Sequence, residues 1–341
     1  MNCVRFLVCA IGFSAFYFAV SAPAKAPFPL GTEVEWEKLK EKNNSTVRKE
    51  FVESAKIIHD RLLYKGIPYE NISQKWERNY LASIDKFKFM RKNGVDCTRL
   101  LRYIFINMLN LPYNSLYPEA PIISHTFADI NPINAKQLKN FVRIPSSQHG
   151  FRPQTGDILA FPGHAIAVLD PENCISIQSS NWVCKNIENG HCVESEKGLY
   201  AGVAIYKLAS KRFCSNGLWK GMDAERNKFT VAWRHRAFNT WIEKMPQSAY
   251  RQKRINLTGK NLVGKYIYFN GSSYPVRTTL KSNNKKTGMQ TVHVTVPKDA
   301  QSGKLKIFWG TGRPNICETV ESSNVLVIER RGLTLKRVSL K

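Results

Sequence analysis

GDILAFPGHAIAVLD, residues 156–170, holds two apolar runs of β character joined by Pro162-Gly163. The runs are too short for helices and the Pro-Gly pair marks a turn, so the stretch reads as two strands. CISIQSSN (174–181) and GVAIYKL (202–208) repeat the pattern, and the last strand ends near Leu208. Upstream the period is helical. In STVRKEFVESAKIIHDRLLYKG, Val47, Phe51, Ala55, Ile58 and Leu62 share one face, with Ser45 as the expected cap. WERNYLASIDKFKFMRKNG is a second helical stretch, ended by Asn93-Gly94, and residues 112–150 are loop-rich. A third helix begins within NGVDCTRLLRYIF (93–105) and places Leu100, Leu101, Ile104, Phe105 and Met108 at core spacing. Helices followed by a run of antiparallel strands make an α+β domain over residues 33–210.

The composition is that of a folded chain with room for two domains, 341 residues of which 43% are hydrophobic. The formal charge of +25 favours polyanionic surroundings without choosing among them. Residues 1–24 read as a secretory signal: Arg5, an apolar run from Phe6 to Val20, then small residues. No other stretch is long enough to cross a bilayer, so no membrane span is expected after its removal. A secreted or periplasmic destination is oxidising, and cysteines pair there. Six follow the signal: Cys97, Cys174, Cys184, Cys192, Cys214 and Cys317. The expected bridge is Cys184–Cys192, across a short polar loop.

Cys97 stands apart. It lies at the mouth of the third helix, behind Asp96, where unsatisfied amides and the helix dipole favour thiolate. A thiol nucleophile needs a base, and a base needs an orienting partner. His164 opens a strand just after the Pro-Gly turn, and Gln178 sits on the next strand, where antiparallel neighbours come within ~5 Å. His59, His125, His149, His235 and His293 are scattered and no HExxH spacing occurs. Neither metal nor cofactor is expected.

At this point the chain resembles the NlpC/P60 cysteine peptidases. GVDCTRLL resembles their Asp-Cys-Ser-Gly motif, GDILAFPGHAIAVL their Gly-Asp-Leu strand pair with its histidine, and GIPYE (66–70) their upstream Pro-Tyr turn. The resemblance covers roughly residues 60–208. It implies a papain-like fold, Cys97 as nucleophile, His164 as base, Gln178 as orienter and Tyr69 as a pocket residue. Asp96, Thr98 and Arg99 flank the nucleophile and are expected beside the substrate. Thr98 stands where the family has Ser and Arg99 where it has Gly, and Trp-Gly-Gly is missing after Tyr69, so the substrate groove is expected to differ. The implied substrate is a peptide amide in peptidoglycan stem peptides. An inhibitor protein is a further partner that the resemblance leaves open.

Residues 211–250 form a basic bridge holding Trp219, Trp233 and Trp241, a set that reads as core. From Arg251 the chain turns to short, regularly spaced strands, an all-β sandwich over 251–330 with a basic tail at 331–341. INLTGKNLVGKYIYFNGSSYPV and TVHVTVPKDAQSGKLKIF resemble an IPT/TIG-type immunoglobulin-like domain. Residues 251–341 carry 18 Lys+Arg against 4 acidic residues, which points to anionic envelope polymers as a partner. Nucleic acid is not expected, since no binding motif accompanies the charge. Two readings stay open beside the hydrolase: an amidase or acyltransferase acting on other substrates, and a silent fold that only binds the envelope.

Overall fold

The computed structural model describes residues 34–329 apart from 63–65, 130, 148, 182–183, 189–190, 196–200, 212, 224–226, 311–312 and 315. The expected leader and the basic tail lie outside the described residues. Helix α1 (Trp36–Glu41) leads into α2 (Thr46–Leu62), which buries Val47, Phe51, Val52, Ala55, Ile58 and Leu62. Ser45 does not cap α2 as expected. Its hydroxyl is buried without a partner, while its carbonyl takes the Arg48 and Lys49 amides. α3 (Gln74–Ala82) and α4 (Lys86–Asn93) have side-chain caps, Ser73 accepting from the Trp76 amide and Asp85 from that of Lys88. α5 (Cys97–Arg102) runs directly into a π-helical turn, Tyr103–Met108. α6 (Ser124–Ala128) and α7 (Pro132–Gln137) occupy the loop-rich stretch.

The first sheet is built from β1 (Phe141–Arg143), β2 (Ile158–Phe161), β3 (His164–Asp170) and β4 (Ile175–Ser180). A hairpin of β5 (Cys184–Glu188) and β6 (His191–Ser195) leads to its further strand β7 (Gly202–Lys207). Two short ribbons follow, β8 (Cys214–Ser215) with β9 (Leu218–Trp219) and β10 (Gly221–Asp223) with β11 (Asn227–Lys228). β12 (Val231–His235) then enters the sheet, whose order is β1-β12-β2-β3-β4-β7, antiparallel throughout. Every residue of β3 and β4 is buried, because both faces are covered. Ala165, Ala167 and Ile177 pack towards the helices, Leu159, Ile166 and Val168 towards Trp219, Met222 and Phe229.

A disulfide joins Cys174, just before β4, to Cys214 in β8, 40 residues apart. No spacing rule points to that pair, because the ribbons fold back over the far face of the sheet. For the expected Cys184–Cys192 bridge only the backbone is described. Cys184 lies across from Ser195 and Cys192 across from Ile187, and both side chains lie outside the described residues.

The bridge of 211–250 is no separate linker. Its β12 completes the first sheet, and β13 (Trp241–Lys244) and β14 (Ser248–Tyr250) join the sheets of the C-terminal body. Hydrophobic side chains at alternating positions draw each segment into a ladder on its own side of the Arg236–Asn239 turn. Trp219 and Trp233 are buried as expected, whereas Trp241 is half-exposed. The C-terminal body adds β15 (Arg254–Lys260), β16 (Tyr266–Tyr268), β17 (Val276–Arg277), β18 (Thr279–Asn284), β19 (Met289–Thr295), β20 (Gly303–Phe308) and β21 (Thr319–Glu329). They form two sheets, β13-β15-β19-β18 and β14-β21-β20-β16-β17, and within them only β14 and β21 pair in parallel. Alternate residues of β15, Ile255, Leu257 and Gly259, point inward. The described residues are mixed helix and sheet, an α+β architecture.

The two bodies share one continuous core. His235, at the end of β12, is fully buried and stacks edge-on against Trp309 of the C-terminal body at 4.9 Å. Its Nε2 donates to the Pro112 carbonyl at 3.0 Å, and its Nδ1 accepts the Ala237 amide at 3.2 Å. Both ring nitrogens are satisfied only in the neutral form. Burial therefore pulls its pKa from 6.5 down to about 4. Below pH 6.5 the unfolded chain takes up a proton that the folded chain refuses, so stability falls with pH until the folded imidazole also titrates. The expected loss between pH 6.5 and 4 is at most about 3 kcal/mol, with none above that window. Urea midpoints measured across this range for the wild type and His235→Gln test it. Parallel acid limbs in the two proteins would remove His235 as the cause.

Candidate active site

Five contacts fix the start of α5. Gly94 ends α4 at φ +72°, and a Cβ there would lie 2.6 Å from Glu70 Cβ, so only glycine lets the two segments approach. The Trp76 indole donates to the Gly94 carbonyl at 3.2 Å. The Val95 amide donates to the Pro68 carbonyl at 3.0 Å, and the Ser179 hydroxyl of β4 donates to the Val95 carbonyl at 2.6 Å. Asp96 is the N-cap and accepts the Arg99 amide at 2.7 Å. Cys97 is thus the first helical residue, held against the sheet.

The sheet opens to receive it. The β3–β4 ladder runs from Asp170↔Ile175 only to Ala167↔Ile177. Beyond that pair β4 continues beside β7, and the start of β3 has no partner on its β4 side. The Ala165 amide faces this gap and acts on the Cys97 sulfur, as does the Thr98 amide. Cys97 is the free thiol among the described cysteines and is 4% exposed. Burial, then the neighbouring Asp96 carboxylate, push its pKa up to about 12, more than the two amides lower it. The resting group is a protonated thiol.

His164 precedes Ala165. Its Nε2 lies 2.7 Å from Gln178 Oε1, and Gln178 Nε2 donates to Ser176 Oγ at 3.2 Å. That chain has a direction. The amide nitrogen of Gln178 is spent on Ser176, so its oxygen must accept from the imidazole. His164 therefore carries its proton on Nε2, and Nδ1 keeps the basic lone pair. Burial lowers the His164 pKa against the opposing pull of Gln178 and Asp96, so the imidazole is neutral at pH 7. Gln178 is the one hydrogen-bond partner of the ring among the described residues. No hydrogen bond joins the ring to the sulfur.

The flanking residues are tied to one another. Asp96, Thr98 and Arg99 spend their polar atoms on one another. Thr98 Oγ1 donates to Asp96 at 3.1 Å and is 2% exposed, and Arg99 Nη1 pairs with Asp96 at 2.8 Å. Arg99 Nε also reaches Glu77 at 3.3 Å, and Glu77 pairs in turn with the buried Arg102. These residues build and brace the helix start. Tyr69 is half-buried and bridges Val95 through its backbone. Burial, with Cys97 and Asp96 nearby, raises its phenol. Ser176 and Ser179 were legible in principle: they lie two residues before and one after Gln178 on one strand. Glu77 gave no signal, since only folding brings α3 to α5.

Among the described residues no cluster of three or more His, Cys, Asp or Glu side chains is placed to hold a metal ion. No described helix is long and apolar enough to cross a membrane. Comparison of the chain with protein-family models, with curated proteins and with solved structures finds no match.

Proposed function

We propose that the chain is an exported cysteine hydrolase that cleaves an amide bond in peptidoglycan stem peptides. On this reading the helical and first-sheet body is a papain-like domain of the NlpC/P60 type, and the C-terminal body an immunoglobulin-like domain. The observation that carries the proposal is the Gln178–His164 pair, which fixes the tautomer of His164 and leaves its Nδ1 as the basic nitrogen. In the reaction, Cys97 passes its proton to His164 Nδ1 as the sulfur attacks the substrate carbonyl. The Cys97 amide, at the first helical position, has no intrahelical acceptor and is available to the oxyanion. The imidazolium returns its proton to the departing amine, leaving a thioester. Water, deprotonated by the same imidazole, then releases the acid and restores the thiol.

A neutral thiol and a neutral imidazole suit this sequence, since charge appears only when substrate displaces water. The burial of the sulfur favours a second reading, a silent fold kept for binding. The discriminating experiment incubates the mature protein and its Cys97→Ala variant with purified muropeptides and follows new amines by mass spectrometry. Release by the wild type alone supports the hydrolase. Activity that survives in Cys97→Ala removes the thiol mechanism, and no release by either protein from any wall chemotype favours the silent fold.

A further inference from the structure

The charge of the C-terminal body is unevenly spread. On the five-stranded sheet Lys304 and Lys306 are both aimed at Glu321, 3.8 and 3.6 Å away. The four-stranded sheet and its β18–β19 hairpin carry Lys244, Arg254, Lys260, Lys281, Lys285 and Lys286. No side chain of these six forms an ion pair or hydrogen bond among the described residues, and all but Lys260 are exposed. The only acidic residue of those strands, Glu243, accepts from the Trp241 indole at 3.3 Å.

Register shows what lies between the cations. Ile255, Leu257, Val292 and Val294 point into the core, so their neighbours point out. Across the outer face Asn256 lies beside His293 and His293 beside Thr279, while Thr258 lies beside Thr291 and Thr291 beside Ser282. The Thr258 and Thr291 hydroxyls are hydrogen-bonded at 3.0 Å. Along β15, Arg254 and Lys260 are separated by ~20 Å, and the four strands span ~14 Å. The face is thus uncharged and rich in hydroxyl and amide groups at its centre, with unpaired cations around the rim and half-exposed Trp241 at one side.

We propose that this face binds an anionic polysaccharide, its sugar hydroxyls meeting the central Asn, Thr and His side chains and its acidic substituents meeting the rim cations. Charges this far apart suit a glycan with intermittent acidic groups. They match poorly a nucleic acid strand with a phosphate every few ångströms, and a single tryptophan gives successive bases no row of stacking partners. Carboxylate and phosphate substituents satisfy the rim equally, so the source is decided by experiment.

The full mature chain carrying Cys97→Ala, which removes any turnover, is titrated with lightly carboxymethylated dextran, lightly phosphorylated dextran, neutral dextran and a single-stranded oligonucleotide of matched charge, at low and high salt. Binding to one or both anionic glycans, weakened by salt, is expected, and the preferred one names the acidic group. Reversal of the rim by Lys244→Glu, Arg254→Glu and Lys260→Glu should cost on the order of 100-fold in affinity. The same reversal at exposed Lys75, Lys88 and Lys92 on the helices should cost far less. Asn256→Ala with Thr291→Ala should weaken glycan binding about 10-fold while leaving its salt dependence unchanged. The proposal is overturned if neither glycan binds, if the oligonucleotide binds as tightly as the glycans, or if the two reversals cost the same. The altered side chains are at the surface, and unchanged thermal unfolding confirms that each variant folds. Because binding needs no chemistry at Cys97, none of these outcomes bears on the hydrolase.

Discussion

His164→Ala should lower kcat/KM on muropeptides by about 10⁴-fold, the loss typical when an imidazole serves as both base and acid. The reason lies in the resting state. With the Cys97 pKa pushed up to about 12 and no ion pair holding a thiolate, the sulfur cannot ionise alone at neutral pH. The proton must go to Nδ1 of His164 during attack. Gln178→Ala should cost about 10²-fold, because the ring then loses the acceptor that fixes its tautomer. The pH profile separates an orienting role from mere packing. The hydrogen bond to Gln178 raises the His164 pKa against its burial, so Gln178→Ala should move the acid limb of kcat/KM to lower pH. Gln178→Glu places a carboxylate beside the imidazolium and should move the limb to higher pH. Acid limbs that stay in place in both variants would leave Gln178 as packing only, and a His164→Ala enzyme within tenfold of the wild type would end its role as base.

Much of this site was legible because it rests on short-range rules. Asp96 before Cys97 reads as a helix cap and is one. The Pro162-Gly163 turn starts β3 at His164, and a strand two positions on from Ser176 presents Gln178 to it. Local pattern could not show what depends on the rest of the chain. It placed Cys97 at a helix mouth that favours thiolate, whereas the fold buries the sulfur and pushes its pKa up to about 12. It offered Thr98 and Arg99 to a substrate, whereas Glu77, 22 residues before Arg99, draws the arginine inward. β12 was hidden for a related reason. Its five residues, VAWRH, are a strand only because β1 and β2 offer it two edges, and those edges come from 90 and 70 residues upstream in the chain, beyond the reach of periodicity.

Asp157→Asn should destabilise the fold by about 3–5 kcal/mol, the usual consequence of breaking a buried charge cluster from one side. Asp157 has no exposed surface. Its carboxylate takes a forked contact from Arg234 of β12, with Nε at 2.8 Å and Nη2 at 2.7 Å, and also the Gln154 amide at 2.6 Å. Arg48 of α2, itself 4% exposed, brings a second guanidinium to 3.9 Å. Arg48 also donates to the Thr155 carbonyl and to Gln154 and lies over the Phe238 ring at 5.3 Å. Burial and the like charge of Arg234 pull the Arg48 pKa down to about 10 in spite of Asp157, which shows how little spare anion the site holds. One carboxylate therefore sits between the buried Arg48 and the partly buried Arg234 and ties α2, β12 and the start of the β2–β3 hairpin together. The amide of asparagine can replace one hydrogen bond but not the charge. If repulsion between the arginines is the main cost, Arg48→Met in the Asp157→Asn background should recover part of the loss, although Arg48→Met alone is destabilising. Urea unfolding of the four proteins in the cycle measures this coupling. A loss under about 1 kcal/mol in Asp157→Asn, or strictly additive effects, would mean that water reaches the cluster and that the hairpin carrying His164 is held by its hydrophobic faces alone.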